Sequence, residues 1–274
     1  MKRPLTVVIP VFNAARQLER CLRAVAATLP PDTRVLVVDD ASDDAAVGDV
    51  LARRAGDWTV LRNERNRGFV ASANRGMDAA GDDDVILLNS DTVPAGDWAV
   101  KLQRALQAAP DVASATPFTN NGEIASLPDF CRANPLPDDA EAWARACERA
   151  GEPRYPELPT AVGFCMAIRR ACLAAVGGFD EAAFGRGYGE ENDWCMRASR
   201  AGWRHVLCDD AFVAHEGNAS FGPLGLAPGD AAMNALLARH PGYLDQVRAF
   251  IDADPLRDDR RRVLAALEAV AGDR

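Results

Sequence analysis

The side chains able to do chemistry in this chain gather at the ends of apolar runs. Val85-Ile86-Leu87-Leu88 is an unbroken stretch of strand length that stops on Asn89-Ser90-Asp91. Such a run reads as a strand buried on both faces, as in a parallel sheet. Open parallel sheets bind ligands beyond the carboxyl ends of their strands. A carboxylate placed there, Asp91, can hold a hard cation and through it a phosphate; Asp also suits a plain turn. Arg34-Val35-Leu36-Val37-Val38 ends the same way, on Asp39-Asp40. Those carboxylates can accept hydrogen bonds from a base N–H or a ribose hydroxyl, or belong to a solvated turn with Ser42 and Asp43. A third acidic group, Glu190-Glu191-Asn192-Asp193, precedes a helix expected over Cys195–Ala201. Acids near a helix N-terminus stabilise it in their own right. Crowded carboxylates also raise one another's pKa, which makes a better base near neutral pH. His215 closes the strand-like run Ala211–Ala214, and on its own fits packing as well as metal ligation.

The elements that must position these groups alternate. Thr6–Asn13 reads as a first buried strand bent at Pro10. Asn13 can cap the helix that follows, with Leu18, Cys21, Leu22, Val25 and Leu29 on one face and Pro30-Pro31 as its stop. The second strand, a helix near Ala45–Ala55 and a strand at Trp58–Arg62 continue the pattern, which predicts right-handed βαβ crossovers. After the turn Asn63–Phe69 comes a helix of small residues, Val70–Gly76, able to approach another backbone closely. Asp97 caps a helix ending near Pro110, and Val112–Thr116 is a further strand. Residues 117–159 are irregular apart from a helix near Asp139–Ala150. A strand over Thr160–Arg169 and a short helix, Arg170–Val176, precede the glycine-laced loop Gly185-Arg186-Gly187-Tyr188-Gly189. Strand pieces at His205–Cys208 and Ala211–His215, then helices at Leu226–Arg239 and Pro255–Val270, complete the reading. The expected class is α/β, with a mostly parallel, Rossmann-like central sheet flanked by helices and a helical C-terminal extension.

The remaining bulk properties exclude several alternatives. A net charge of −9 opposes a broad nucleic-acid surface. No apolar run approaches the ~20 residues of a membrane span, and no signal peptide is expected at the N-terminus. Seven cysteines, with no C-x-x-C pair, predict buried thiols of a reducing compartment. The absence of G-x-G-x-x-G after the first strand counts against a dinucleotide site.

Taken together, Val7–Asn13, Val37–Ser42, Asn66-Arg67-Gly68-Phe69 with Asn74 and Gly76, Leu88–Asp91, Gly178–Glu181, Gly189–Trp194 and His215 resemble family 2 glycosyltransferases of the GT-A fold, in the rhamnosyltransferase-like bacterial branch. The resemblance runs from Thr6 to about Phe221. It implies a nucleotide-diphosphate sugar donor (UDP-, dTDP- or GDP-linked), a divalent cation (Mn²⁺ or Mg²⁺), and transfer with inversion to a saccharide or lipid-linked acceptor, as in surface polysaccharide synthesis. Donor contacts are then expected at Pro10, Phe12, Asp39, Asp40, Asn66, Arg67, Gly68, Asn74, Asn89 and Ser90. The metal is expected on Asp91 and His215. Asn89 stands where the family more often has Asp, and an amide brings no charge to a cation. Glu191 takes the place of the family's catalytic base, with Asp193 and Glu190 beside it; the family more often has Asp at that place.

The implied organisation is a transferase domain over residues 1–222, its nucleotide-sugar half 1–116 and acceptor half 117–222, followed by a helical extension over 223–274. A cytoplasmic protein is expected, with peripheral attachment at the inner membrane face possible through Arg257, Arg260, Arg261 and Arg262; Asp258 and Asp259 among them favour a salt-bridged helix instead. Two rivals are a non-catalytic nucleotide-sugar-binding module, which needs no base, and a sugar-nucleotide pyrophosphorylase, which needs a Gly- and Arg-rich loop that Val11-Phe12-Asn13-Ala14 does not supply.

Overall fold

The computed structural model describes residues 3–54, 56–217 and 230–272. Its sheet grows outward from β1 (Leu5–Val11), where Val7, Val8 and Ile9 are fully buried. β1 pairs in parallel with β2 (Arg34–Asp39) on one side and β4 (Asp84–Leu88) on the other, and β2 pairs in parallel with β3 (Thr59–Arg62). An apolar run buried on both faces needs cover on both sides. The crossover helices α1 (Ala15–Thr28), α2 (Ala45–Ala52) and α3 (Phe69–Ala79) provide it. Leu18, Cys21, Leu22 and Val25 of α1 are buried, as their spacing predicts. The small residues of α3 serve close packing on the sheet: a Cβ at Gly76 would run into Val8.

Beyond β4 the sheet becomes mixed. β8 (Cys165–Ile168) lies antiparallel between β4 and β6 (Val112–Phe118), and β6 pairs in parallel with β9 (Arg204–His215). β3, β2, β1, β4, β6 and β9 therefore share one direction. The short strands β5 (Thr92–Pro94) and β7 (Glu157–Leu158) each pair antiparallel with β9, completing nine strands in the order β3-β2-β1-β4-β8-β6-β9-β5 with β7 also on β9. Trp98, Leu102, Ala105 and Leu106 of α4 (Trp98–Gln107) seal one face.

Several expectations change. Asn13 does not cap α1; Ala14 occupies that place, and the Asn13 amide bridges to the β2–α2 loop, donating to Asp43 (2.7 Å) and accepting from the N–H of Asp43 and Asp44. Parallel pairing brings these two loops to the same edge, so the amide finds the neighbouring loop first. Asp97 precedes α4 but makes no side-chain cap bond. β1 runs through Pro10 to Val11, while residues 160–164 are not strand. The two strand pieces at 205–215 are one strand, β9, bulged where Asp209 and Asp210 leave the ladder. Asp209 there accepts from the N–H of Arg154 and Tyr155.

The C-terminal helices are α9 (Asp230–Arg239), α10 (Tyr243–Ala253) and α11 (Arg257–Gly272), of which α10 was not expected. Leu256 and Val263 at α11 join a core with Ala144 and Cys147 of α5 (Ala140–Arg149). All four arginines considered for membrane attachment are ion-paired: Arg257 and Arg260 with Asp254, Arg261 with Asp258, and Arg262 with Asp209 and Asp259. Among the described residues no helix is long and apolar enough to cross a membrane. All seven cysteines are free thiols, six of them buried. The expected division at 116/117 falls within β6. The division at 222/223, the end of the resemblance near Phe221 and the start of the helix expected from Leu226 lie outside the described residues.

Candidate active site

At the carboxyl ends of β1 and β4 lies a cavity of ≈ 310 Å³. Pro10, Phe12, Asp40, Asn66, Gly68, Asn89, Ser90, Asp91, Glu190, Glu191 and His215 all line it. Groups spread over more than 200 positions of the chain thus converge in one space.

The Asp91–His215 pair is assembled by β5 and β9. Their antiparallel register sets Thr92 opposite His215, and Glu216 N–H donates to the Asp91 carbonyl at 3.1 Å. The Asn120 amide brackets the His215 backbone, accepting from its N–H (2.8 Å) and donating to its carbonyl (2.9 Å). The imidazole stacks on Phe164 at 5.3 Å. Its Nδ1 sits 2.7 Å from the Asn121 carbonyl, which can only accept, so Nδ1 carries the hydrogen. Nε2 then faces Asp91 Oδ1 at 3.4 Å. A lone pair and a carboxylate that close call for a positive charge between them, either a proton on Nε2 or a metal ion. Burial pulls the His215 pKa down, but the hydrogen bond and charge of Asp91 outweigh it and leave it raised.

A divalent cation fits these residues. The Asn89 side-chain oxygen, on the same cavity wall, is buried with no hydrogen-bond partner among the described residues. Asp91, His215 and the Asn89 amide would hold the ion. No group of three His, Cys, Asp or Glu is placed to do so among the described residues. Its other positions would fall to phosphate oxygens and water, as hard cations at phosphate sites usually arrange.

The acidic cluster lies in the first turn of α8 (Glu190–Arg200), which begins five residues before the expected start. Burial and the neighbouring Glu191 charge push the Glu190 carboxyl well above the usual range; its Oε2 is buried without a partner among the described residues. Burial also pushes Glu191 up to about 7, with the Glu123 charge adding to it and backbone N–H groups opposing it. Glu191 packs against Gly163, in the segment that precedes β8. A carboxyl on a cavity wall that ionises near neutrality is suited to take a proton from a hydroxyl.

Asp193, expected beside the base, is absent from the cavity wall. It is fully buried, bonded by Arg197 (2.8 Å), His240 (2.9 Å) and Arg239 (3.3 Å), and ties α8 to the end of α9. Burial raises its pKa, but the Arg197 and His240 bonds prevail and hold it below the carboxylate range, the wrong direction for a base. The two roles divide within a single turn of helix, because Glu190 and Glu191 line the cavity while Asp193 is buried in the protein. Trp194 is likewise core, donating to the Gly177 carbonyl.

The donor-side expectations divide in the same way. Asp39 does not line the cavity: it is buried, ion-paired with Arg62 and bonded by Ser42 N–H (2.9 Å). Asp40 reaches the wall, but its carboxylate is occupied by the N–H groups of Arg67 (2.8 Å) and Gly68 (2.7 Å) and by the Asn63 amide, so it shapes the 66–68 turn. Arg67 is exposed and paired with Glu181, away from the wall. Asn74 is a brace, exchanging hydrogen bonds with Phe179 N–H and carbonyl and donating to Glu181. Gly68 has φ +89, and a Cβ there would lie 2.7 Å from Arg186 Cα, so its missing side chain makes room for backbone. Asn66 presents to the cavity a buried side-chain oxygen with no partner among the described residues.

The wall also includes residues not singled out as site residues from the sequence: Asn121, Glu123, Phe164, Arg186 and Tyr188. The run Gly185-Arg186-Gly187-Tyr188-Gly189, where three glycines and Tyr188 all have positive φ, was the available signal for the last two.

A parallel half-sheet with Asp91 just beyond the end of β4, continued by a mixed half that bears His215 and the two glutamates, has the architecture of a GT-A type fold. The chain superposes on GalNAc-T7 crystallised with UDP, GalNAc and Mn²⁺ with a TM-score of 0.64 at 16% identity, over 92% of this chain and 57% of that one. Residues 6–177 match the model of glycosyl transferase family 2, and the chain belongs to that family. It is 31% identical over 218 residues to the pre-mycofactocin glycosyltransferase of Mycobacterium tuberculosis (strain CDC 1551 / Oshkosh), over 78% of this chain but 43% of that protein, so it spans less than half of that relative's length. It is 27% identical over 241 residues to the N-acetylglucosaminyl-diphospho-decaprenol L-rhamnosyltransferase of the same strain, over 77% and 75% of the two chains. Glu190, Glu191 and His215 lie beyond the residues matched by the family model.

Proposed function

We propose that this protein is a divalent-cation-dependent, inverting glycosyltransferase that moves a sugar from a nucleotide-diphosphate donor to a hydroxyl of a saccharide or lipid-linked acceptor. The observation that carries the reading is the meeting, in one cavity, of the Asp91–His215 pair with a carboxyl, Glu191, held near neutral pKa. The cation supplies charge neutralisation for the departing nucleoside diphosphate. Asp91, His215 and Asn89 would hold it. Pro10, Phe12, Asn66 and Ser90 line the space for the donor. Glu191 accepts the acceptor hydroxyl's proton as that oxygen bonds to the anomeric carbon and the bond to the diphosphate breaks. A single displacement with one base inverts the anomeric centre. The likeness to a rhamnosyltransferase whose name gives a lipid-diphosphate substrate supports a lipid-linked acceptor and a role in surface polysaccharide. Work at an inner membrane face is compatible with that acceptor.

A thermal-shift panel of UDP, GDP and dTDP with and without Mn²⁺ selects the donor base, and NMR of the product reads the anomer. A selective, Mn²⁺-dependent shift and an inverted product are expected. Retention of configuration, or wild-type protein that binds but never transfers, would overturn the reading in favour of another chemistry or a binding module.

A further inference from the structure

A donor diphosphate carries two negative charges into the cavity, and a third appears on the nucleotide as the sugar leaves. The cation ligands set only one carboxylate beside the ion, because Asn89 is neutral. A divalent ion held there contributes one net positive charge, which leaves the diphosphate under-neutralised. Among the described residues that line the cavity, Arg186 is the only Lys or Arg. Its place is built from both sides. Gly68, at φ +89, clears the space that Arg186 occupies: a Cβ at position 68 would meet Arg186 Cα at 2.7 Å and Cγ at 3.2 Å. Phe69 N–H, at the first position of α3, donates to the Arg186 carbonyl at 3.2 Å. Gly185 and Gly187, with φ of +53° and +137°, flank it in conformations that side chains resist. Arg186 is exposed, and its guanidinium forms no ion pair among the described residues. Two other arginines of the neighbouring segment are engaged: Arg67 with Glu181 and Arg62 with Asp39.

We propose that Arg186 is a second cationic contact for the donor diphosphate, sharing with the divalent ion the charge of the leaving nucleotide. This rests on the donor-site reading above. A guanidinium presents a planar fork that meets phosphate oxygens in pairs, where an ammonium meets them as a point. With two positive charges from ion and Arg186, the bound diphosphate is balanced although the ion has a single carboxylate ligand.

The test is calorimetric titration of wild type, Arg186→Gln and Arg186→Lys with UDP, GDP and dTDP, and with the matching nucleosides, at several Mn²⁺ concentrations. The nucleoside diphosphate that binds wild type should bind Arg186→Gln roughly ten- to hundredfold more weakly, the loss of a charge-assisted contact. Arg186→Lys should fall between. Nucleoside affinity and the melting temperature of the free protein should not move, and diphosphate binding by Arg186→Gln should depend more steeply on Mn²⁺. Equal diphosphate affinity in wild type and Arg186→Gln, or an equal loss for nucleoside and diphosphate, overturns the proposal and leaves the donor site standing. Failure of wild type to bind any of the three diphosphates removes the donor site, and Arg186 with it.

Discussion

Glu191→Gln separates chemistry from stability. Burial lifts the Glu191 carboxyl from 4.5 to about 7, and the gain in ionisation free energy is lost to folding. A carboxyl whose folded pKa exceeds its unfolded value favours the fold while protonated. Stability therefore falls as pH rises from about 4.5 to about 7, then stays at the lower level. A shift of this size corresponds to roughly 3 kcal/mol at about 1.4 kcal/mol per unit. Coupling to Glu190, whose carboxyl is also raised, reduces what one residue shows to about 1–3 kcal/mol. Glutamine keeps the shape and removes the ionisation. At pH 8 the variant should melt several degrees above wild type, at about 2–4 °C per kcal/mol for a chain of this size. At pH 5 most of that difference should be gone. Sugar transfer should drop by at least ~10²-fold, the usual contribution of a general base, with Mn²⁺-dependent nucleotide binding retained. Scanning calorimetry at the two pH values and a transfer assay decide the matter. A variant no more stable at pH 8 than at pH 5, relative to wild type, would refute the buried-carboxyl argument. Undiminished transfer would refute the base.

Three further outcomes follow from the same geometry. Asp193→Asn should leave Arg197, Arg239 and His240 without their buried counter-charge and cost about 3–5 kcal/mol in a denaturant titration; a single-turnover transfer rate that fell as far as that of Glu191→Gln would restore Asp193 to the chemistry. Gly68→Ala forces a Cβ against Arg186 and a strained φ, so a loss of at least ~1–3 kcal/mol in stability is expected, together with weaker nucleoside diphosphate binding; unchanged binding would mean that the loop does not form the donor wall. His215→Ala should weaken Mn²⁺ affinity by at least ~10-fold, read by electron paramagnetic resonance of bound Mn²⁺ with UDP, GDP or dTDP present; equal affinity would dismiss His215 as a ligand.

Hydrophobic pattern alone determines much of this protein. The runs Val7–Ile9, Val35–Val38 and Val85–Leu88 are apolar without alternation, and only a sheet covered on both faces accommodates that. Their order with the helices between them leaves little choice of topology, so the ends of those strands, and with them Asp40, Asn89 and Asp91, must share one edge, as the parallel pairing shows. What the pattern could not reveal depends on contacts between residues far apart in sequence. Asp39 and Asp40 are adjacent and chemically alike, yet Arg62 holds one in the interior and the turn at 67–68 holds the other at the wall. Glu191 and Asp193 differ by half a turn of helix, and the partners that divide them, Gly163 on one side and Arg239 and His240 on the other, come from opposite ends of the second half. Arg186 resembles any loop arginine until the missing side chain of Gly68, 118 positions away, shows where it docks. Local sequence encodes which elements form and what each can carry; which side chain meets the cavity is decided by long-range packing, because burial and charge pairing act on neighbours in space.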